Sequence, residues 1–125
     1  MKKPLIMGMG VTGRSISRYL SDKSIHHLVM DSCSSKNINL TSYVDKFLFS
    51  EDVSILKEVS KVFVSPGVDS NNIFLNVIIK REIPISTDID LYLSQTKSKP
   101  ILITGTNGKT SVTRMTEFLL SKIYG

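Results

Sequence analysis

Leu5-Ile6-Met7-Gly8-Met9-Gly10-Val11-Thr12-Gly13 runs a short apolar segment straight into a G-x-G-x-x-G loop. The pattern alone is weak, because glycine pairs are common, and its surroundings give it weight. Leu5-Ile6-Met7 reads as a buried strand, and Val11 to Leu20 as a helix with Ile16, Tyr19 and Leu20 on one face. In such a strand–loop–helix the first two glycines permit a tight turn and close backbone approach to a phosphate, and the third lets helix and strand pack closely. A second strand, Leu28-Val29-Met30, ends at Asp31, 18 residues after Gly13. That is near the offset of about 20 at which an acidic side chain contacts a ribose. The functional reading is a dinucleotide-type site. Plainer readings stand beside it: a turn whose glycines serve packing alone, Asp31 as a strand-end turn residue, and Thr12 as an ordinary first-turn helix residue.

Outward from this segment, apolar runs keep alternating with helical periodicity. Ser32 to Asn39 is polar and loop-like, and Phe47-Leu48-Phe49 predicts a short third strand. Val53, Leu56 and Val59 form a helical stripe, Val62-Phe63-Val64 is another strand, and Ile73, Val77 and Ile78 mark a helix over 71–81. Pro84 confines Ile83-Pro84-Ile85 to an edge or strand start. Thr87 is placed to cap the next helix, with Asp90 three residues later. This alternation predicts an α/β fold with an open parallel sheet and helices on both faces. Ser65-Pro66-Gly67 would then stand at the carboxyl edge of the sheet, where such folds bind ligands, unless it is a plain turn.

The 125 residues are 41% hydrophobic, enough for a real core, and no run approaches the roughly 20 apolar residues of a membrane span. Met1-Lys2-Lys3 is basic, but the apolar run after it stops at Gly8, too short for a signal-peptide core. A single cysteine, Cys33, excludes an internal disulfide and suits a reducing compartment, so cytoplasmic residence is expected. The net charge of +5 suits an anionic ligand, or simply a lysine-rich solvated surface. The basic residues are scattered without an aromatic ladder, which disfavours nucleic acid. His26 and His27 precede a strand without a third ligand nearby and read as surface or turn residues.

A second glycine loop, Thr104-Gly105-Thr106-Asn107-Gly108-Lys109-Thr110, follows the apolar Pro100-Ile101-Leu102-Ile103, read as a strand, and opens a further helix. It is shorter than a regular Walker A loop, whose first glycine would fall at Ile103. Glycine N–H groups can turn inward around a phosphate, lysine brings positive charge, and the threonine hydroxyl can ligate Mg²⁺. The polar Thr96-Lys97-Ser98-Lys99 before it suggests a domain boundary. In the last helix Val112, Met115, Leu119 and Lys122 share a face that Phe118 and Ile123 broaden.

Two glycine loops about 95 residues apart, with Met30-Asp31, Ser65-Pro66-Gly67 and Asp88-Ile89-Asp90-Leu91 between them, form an order that resembles the Mur ligases, ATP-dependent amino-acid ligases of peptidoglycan synthesis. Within that family the loops are most similar to the members that add D-glutamate to UDP-N-acetylmuramoyl-L-alanine. The resemblance implies a Rossmann-like domain over 1–97 that holds the UDP part of the substrate rather than NAD. Gly10, Val11 and Thr12 would lie near the phosphates and uridine. Asp31 and Ser32 would hydrogen-bond the uracil or ribose, and Ser65, Pro66 and Gly67 would help close the pocket. Residues 98–125 would be the first strand, P-loop and helix of a central ATPase domain, incomplete in this chain. There Gly105, Thr106, Asn107, Gly108 and Ser111 would wrap the ATP phosphates, Lys109 would neutralise their charge in the transition state, and Thr110 would hold Mg²⁺. The implied reaction activates the substrate carboxylate as an acyl phosphate, which the amine of D-glutamate then attacks, in the service of cell wall biogenesis, cell shape and cell division.

The sequence departs from the family at Cys33, where an arginine often stands two residues after the strand-end aspartate. The resemblance covers nearly the whole chain but only about the first quarter of the family's length. For these residues alone the expectation is nucleotide binding without turnover, with the C-terminal helix packing on the first domain, self-associating or staying mobile. The alternatives are a self-standing UDP-sugar or nucleotide-binding module and the product of a decayed or split gene.

Overall fold

The computed structural model describes residues 1–32 and 41–124. Cys33 and the polar stretch that follows it through Asn39 lie outside them. The chain forms two compact units, Met1–Gln95 and Thr96–Gly125.

The first unit is built on five strands: β1 (Lys3–Met7), β2 (His27–Met30), β3 (Val44–Leu48), β4 (Val59–Val64) and β5 (Ile85–Ser86). They form one sheet in the order β3-β2-β1-β4-β5, and every pairing is parallel. Helix α1 (Val11–Asp22), a 3₁₀ helix at Val53–Glu58 and α2 (Ile73–Lys80) lie in the connections, and α3 (Asp88–Gln95) follows β5. Parallel strands need such crossovers, and the central ones are apolar because both sheet faces are covered.

Side-chain alternation along the strands sorts the core into two clusters. Leu5, Met7, Leu28, Met30 and Val62 point to one face, where Phe74 and Ile78 of α2 and Ile55 and Leu56 of the 3₁₀ helix meet them. Ile6, Val29 and Phe63 point to the other, under Met9 and under Ile16 and Leu20 of α1, with Leu91 of α3 packed alongside. Thr87 and Asp90 form the expected capping box at α3: the Asp90 amide donates to Thr87 Oγ1 at 3.2 Å, and Asp90 Oδ2 accepts from the Thr87 amide at 2.7 Å. Pro84 sits at the edge beside β5, and its carbonyl still accepts from the Val62 amide at 2.8 Å.

Three expectations need correction. His27 is not a surface residue: it opens β2 with no solvent exposure. Its Nδ1 meets the Ile25 carbonyl at 2.9 Å and its Nε2 the Ser17 hydroxyl at 2.8 Å, so both ring nitrogens are satisfied inside the core. The third strand is Val44–Leu48, which leaves Phe49 beyond its end. Pro100–Ile103 is not a strand: residues 100–103 are irregular, because no other strand stands among the described residues of that unit to pair with them. The second unit keeps its glycine loop and a 16-residue helix, α4 (Lys109–Tyr124). No helix among the described residues is long and apolar enough to cross a membrane.

Candidate functional site

The glycine loop after β1 is held from three sides. Gly8 adopts φ 87°, a left-handed conformation natural only to glycine. Its N–H donates to the Met30 carbonyl at 2.8 Å, and its own carbonyl accepts from the Ser65 hydroxyl at 2.8 Å. Gly13, in the first turn of α1, faces that same carbonyl so closely that a Cβ there would stand 1.9 Å from the oxygen. The third glycine of the motif therefore serves helix-to-strand packing. Gly10 meets nothing within 4 Å of a Cβ position and has extended backbone as the N-cap of α1, with no side-chain cap and no acidic residue in the first turn. The first N–H groups of α1 have no intrahelical acceptor, and the Asp31 carboxylate accepts from the Met9 N–H, one residue before the N-cap.

Above this loop, at the carboxyl ends of the central strands, lies a cleft of about 610 Å³. Gly8 and Gly10 line it from β1, and Asp31 and Ser32 from β2. Ser65, Gly67, Val68, Asp69 and Asn72 line it from beyond β4, and Phe49, Ser50 and Glu51 from beyond β3. Asp31 braces the floor, its Oδ2 accepting from the Met9 N–H at 2.5 Å. Ser65-Pro66-Gly67 is a closed turn, with the Val68 N–H donating to the Ser65 carbonyl at 3.0 Å and Pro66 in the position where its fixed φ is favoured. Asn72 caps α2 through Oδ1 and donates from Nδ2 to the Glu51 carboxylate.

Of the residues singled out from sequence, Gly10, Asp31, Ser32, Ser65 and Gly67 thus come together around one cavity. Val11 and Thr12 open α1 beside it, and Pro66 stands exposed between two lining residues. Phe49, Ser50, Glu51, Asp69 and Asn72 were missed. The topology rule that ligands bind at the carboxyl edge would have flagged Ser50 and Glu51, which directly follow the strand expected at Phe47–Phe49, and Phe49 at its end. Among its described residues the cleft lining has three carboxylates, Asp31, Glu51 and Asp69, and no lysine or arginine. Among the described residues, the groups that could meet an anion here are backbone N–H groups and the α1 terminus rather than cationic side chains.

The second unit carries the other glycine loop. Gly108 takes φ 76°, another left-handed conformation that favours glycine. Lys109 begins α4 and turns its Nζ back over the loop, onto the carbonyls of Gly105 at 2.5 Å and Thr106 at 3.4 Å. Thr110 and Ser111 follow in the first helical turn, exposed. Among the described residues no group of three His, Cys, Asp or Glu side chains is gathered to hold a metal.

Residues 2–87 match the family model of the Mur ligase MurD-like N-terminal domain. The chain belongs to that family. This MurD-like chain is 34% identical over 127 residues to the UDP-N-acetylmuramoylalanine–D-glutamate ligase of Buchnera aphidicola subsp. Baizongia pistaciae, covering 97% of this chain and 28% of that protein. It is 31% identical over 125 residues to the ligase of the same name from Chlamydia trachomatis serovar L2, covering 98% and 30%. The MurD-like chain therefore spans less than a third of the length of these relatives. Its fold matches the crystal structure of UDP-N-acetylmuramate:L-alanyl-gamma-D-glutamyl-meso-diaminopimelate ligase from Neisseria meningitides, with a TM-score of 0.65 at 15% identity, over 97% of this chain and 40% of that one.

Proposed function

We propose that the first unit binds UDP-N-acetylmuramoyl-L-alanine by its UDP part, and that the second carries the first contacts for ATP in a ligase that joins D-glutamate to that substrate. The observation that carries the reading is the cleft itself: a glycine loop, an uncapped helix N-terminus, the Asp31–Ser32 pair and the Ser65–Gly67 turn converge on one cavity large enough for a nucleotide. The names of the relatives supply the substrate.

In this reading the N–H groups around Gly10, Val11 and Thr12 receive the diphosphate, Asp31 and Ser32 take the uridine through polar contacts, and Ser65, Pro66 and Gly67 wall the other side. Gly105 to Ser111 fit a terminal phosphate: glycine at φ 76° lets the loop fold around the anion, and the Lys109 ammonium already lies across it. Bound ATP with Mg²⁺, the latter held in part by Thr110, would supply the phosphoryl group that activates the substrate carboxylate as an acyl phosphate. Lys109 has to exchange its bonds to the Gly105 and Thr106 carbonyls for phosphate oxygens, keeping its charge where negative charge gathers. A soluble nucleotide-linked substrate and a demand for ATP place the work in the cytoplasm. Self-association through the apolar side of α4, and a domain boundary at 97/98, belong to the same proposal; sedimentation velocity and limited proteolysis near Thr96–Lys99 report on them.

Calorimetry with UDP-N-acetylmuramoyl-L-alanine and with NAD tests the first unit. Binding of the former and not of NAD is expected; stabilisation by NAD alone sinks the reading.

A further inference from the structure

We propose that Phe49 is the platform on which the uracil ring of the nucleotide stacks, an inference that rests on the cleft being a uridine-nucleotide site. Phe49 is the first residue beyond β3. Leu48 pairs with Met30 and its carbonyl accepts from the Asp31 N–H at 3.1 Å, so the register brings Phe49 to the carboxyl edge beside Asp31. Its side chain lines the cleft while 57% exposed, an unusual state for phenylalanine in a unit that buries most of its aliphatic strand residues. The ring is not adrift. Its centroid lies 4.8 Å from that of Phe47, tilted by 49°, and Phe47 is itself packed on the cluster beneath α1. An aromatic surface braced from below and open to a cavity gains from a flat ring laid on it.

Charge points the same way. The described lining offers three carboxylates and no lysine or arginine, so none of the described lining residues offers the diphosphate an ion pair. A larger share of affinity then falls to the apolar base contact. The division of labour is chemically complete: Phe49 takes the face of the base, which every base presents, and Asp31 with Ser32 is placed to read its polar edge or the ribose. The competing account is that Phe49 only covers the end of β3 by packing on Phe47.

The test uses the full chain, with UDP and inorganic pyrophosphate as probes in calorimetry. Stacking predicts that Phe49→Ala weakens UDP roughly 5- to 150-fold and leaves pyrophosphate binding unchanged. The chain contains no tryptophan, so Phe49→Trp introduces a single indole. This variant should keep UDP affinity within a few-fold, and its emission should be quenched by UDP but not by pyrophosphate. Equal UDP affinity in wild type and Phe49→Ala overturns the stacking role while leaving the site intact, as does an equal loss for both probes. If the wild-type chain does not bind UDP at all, the reading of the cleft fails and this inference with it.

Discussion

Replacing Gly13 by alanine should cost the first unit most of its stability margin, whereas the same change at Gly10 should cost ligand and little else. At Gly13 the new methyl would meet the Gly8 carbonyl oxygen at 1.9 Å and its carbon at 2.9 Å. Both obstacles are backbone, so no side chain can swing aside. To open a normal contact, α1 and the β1 loop must separate by more than an ångström. That movement strains two hydrogen bonds of 2.8 Å, Ser65 Oγ to the Gly8 carbonyl and the Gly8 N–H to Met30. Overpacking of this kind costs about 3 kcal/mol at the upper end of its usual range, and each weakened hydrogen bond adds about 1 kcal/mol. Alanine's better helix propensity returns about 1 kcal/mol. The net is about 4 kcal/mol, a large part of the 5–15 kcal/mol typical of a small domain, and equals a drop in Tm of more than about 10 °C. Gly10, with open space at its Cβ position and φ −65°, should lose less than about 1 kcal/mol on becoming alanine. Its methyl would still stand where the backbone must approach a phosphate. Urea unfolding followed by far-UV circular dichroism, with UDP titration of each variant, separates the two. Equal stability losses at the two positions would refute the assignment of Gly13 to packing and Gly10 to the ligand.

Three further outcomes are expected. Glu82→Gly should stabilise by about 1 kcal/mol in the same unfolding assay, because Glu82 sits at φ 55° in the left-handed C′ position after α2, where an L side chain is strained. Ser65→Ala should destabilise by about 1 kcal/mol through loss of the bond to Gly8, and should weaken UDP binding because the loop loses its clamp. Burial holds His27 below the ordinary histidine value, against the pull of the Ile25 carbonyl and Asp45. The unfolded chain takes up a proton near pH 6.5 that the folded core refuses, so stability is full above that value and falls as pH drops below it toward the folded pKa. Urea midpoints measured between about pH 7.5 and 5.5 should fall in the wild type and stay flatter in His27→Gln, on the same linkage.

Much of this architecture is legible in the sequence because it follows from local rules. The Leu5–Met7 run and the glycine spacing follow from what a tight strand-to-helix turn and close helix–strand packing require. Thr87 and Asp90 announce α3 because a capping box needs only two side chains three residues apart. The helix ends are harder. After α1 the amides of Ser24 and Ile25 donate to Ser21 and Leu20, and after α2 those of Glu82 and Ile83 donate to Ile79 and Ile78. Both are Schellman closures, and neither has the glycine that normally signals one. After α2 the closure is backed by tertiary packing, with Ile83 against the α2 side of the core. His27 misleads for a related reason: nothing local tells that Ser17, ten residues upstream, will turn a hydroxyl to its ring. Pro100–Ile103 is apolar enough for a strand, but pairing is a property of a neighbour and not of the segment.

In the proposed reading the two glycine loops would solve one physical problem, holding an anion, with different means, and the difference fits different tasks. At the first loop the nearby cation Arg14 donates its Nε to the Met9 carbonyl at 3.0 Å and is absent from the cleft lining. Among the described residues an anion there would meet fixed dipoles rather than cationic side chains, which suits a diphosphate whose charge stays the same throughout a reaction. At the second loop a mobile ammonium, Lys109, is parked on two carbonyls in the very loop that would wrap the phosphate. A charge that can leave weak acceptors and follow a moving phosphoryl group matters where charge redistributes, as in phosphoryl transfer. The first loop is thus equipped to grip and the second to respond. Substituting Lys109 should therefore damage ATP binding while leaving UDP binding at its wild-type value, and a loss of UDP affinity in Lys109→Ala would contradict this division.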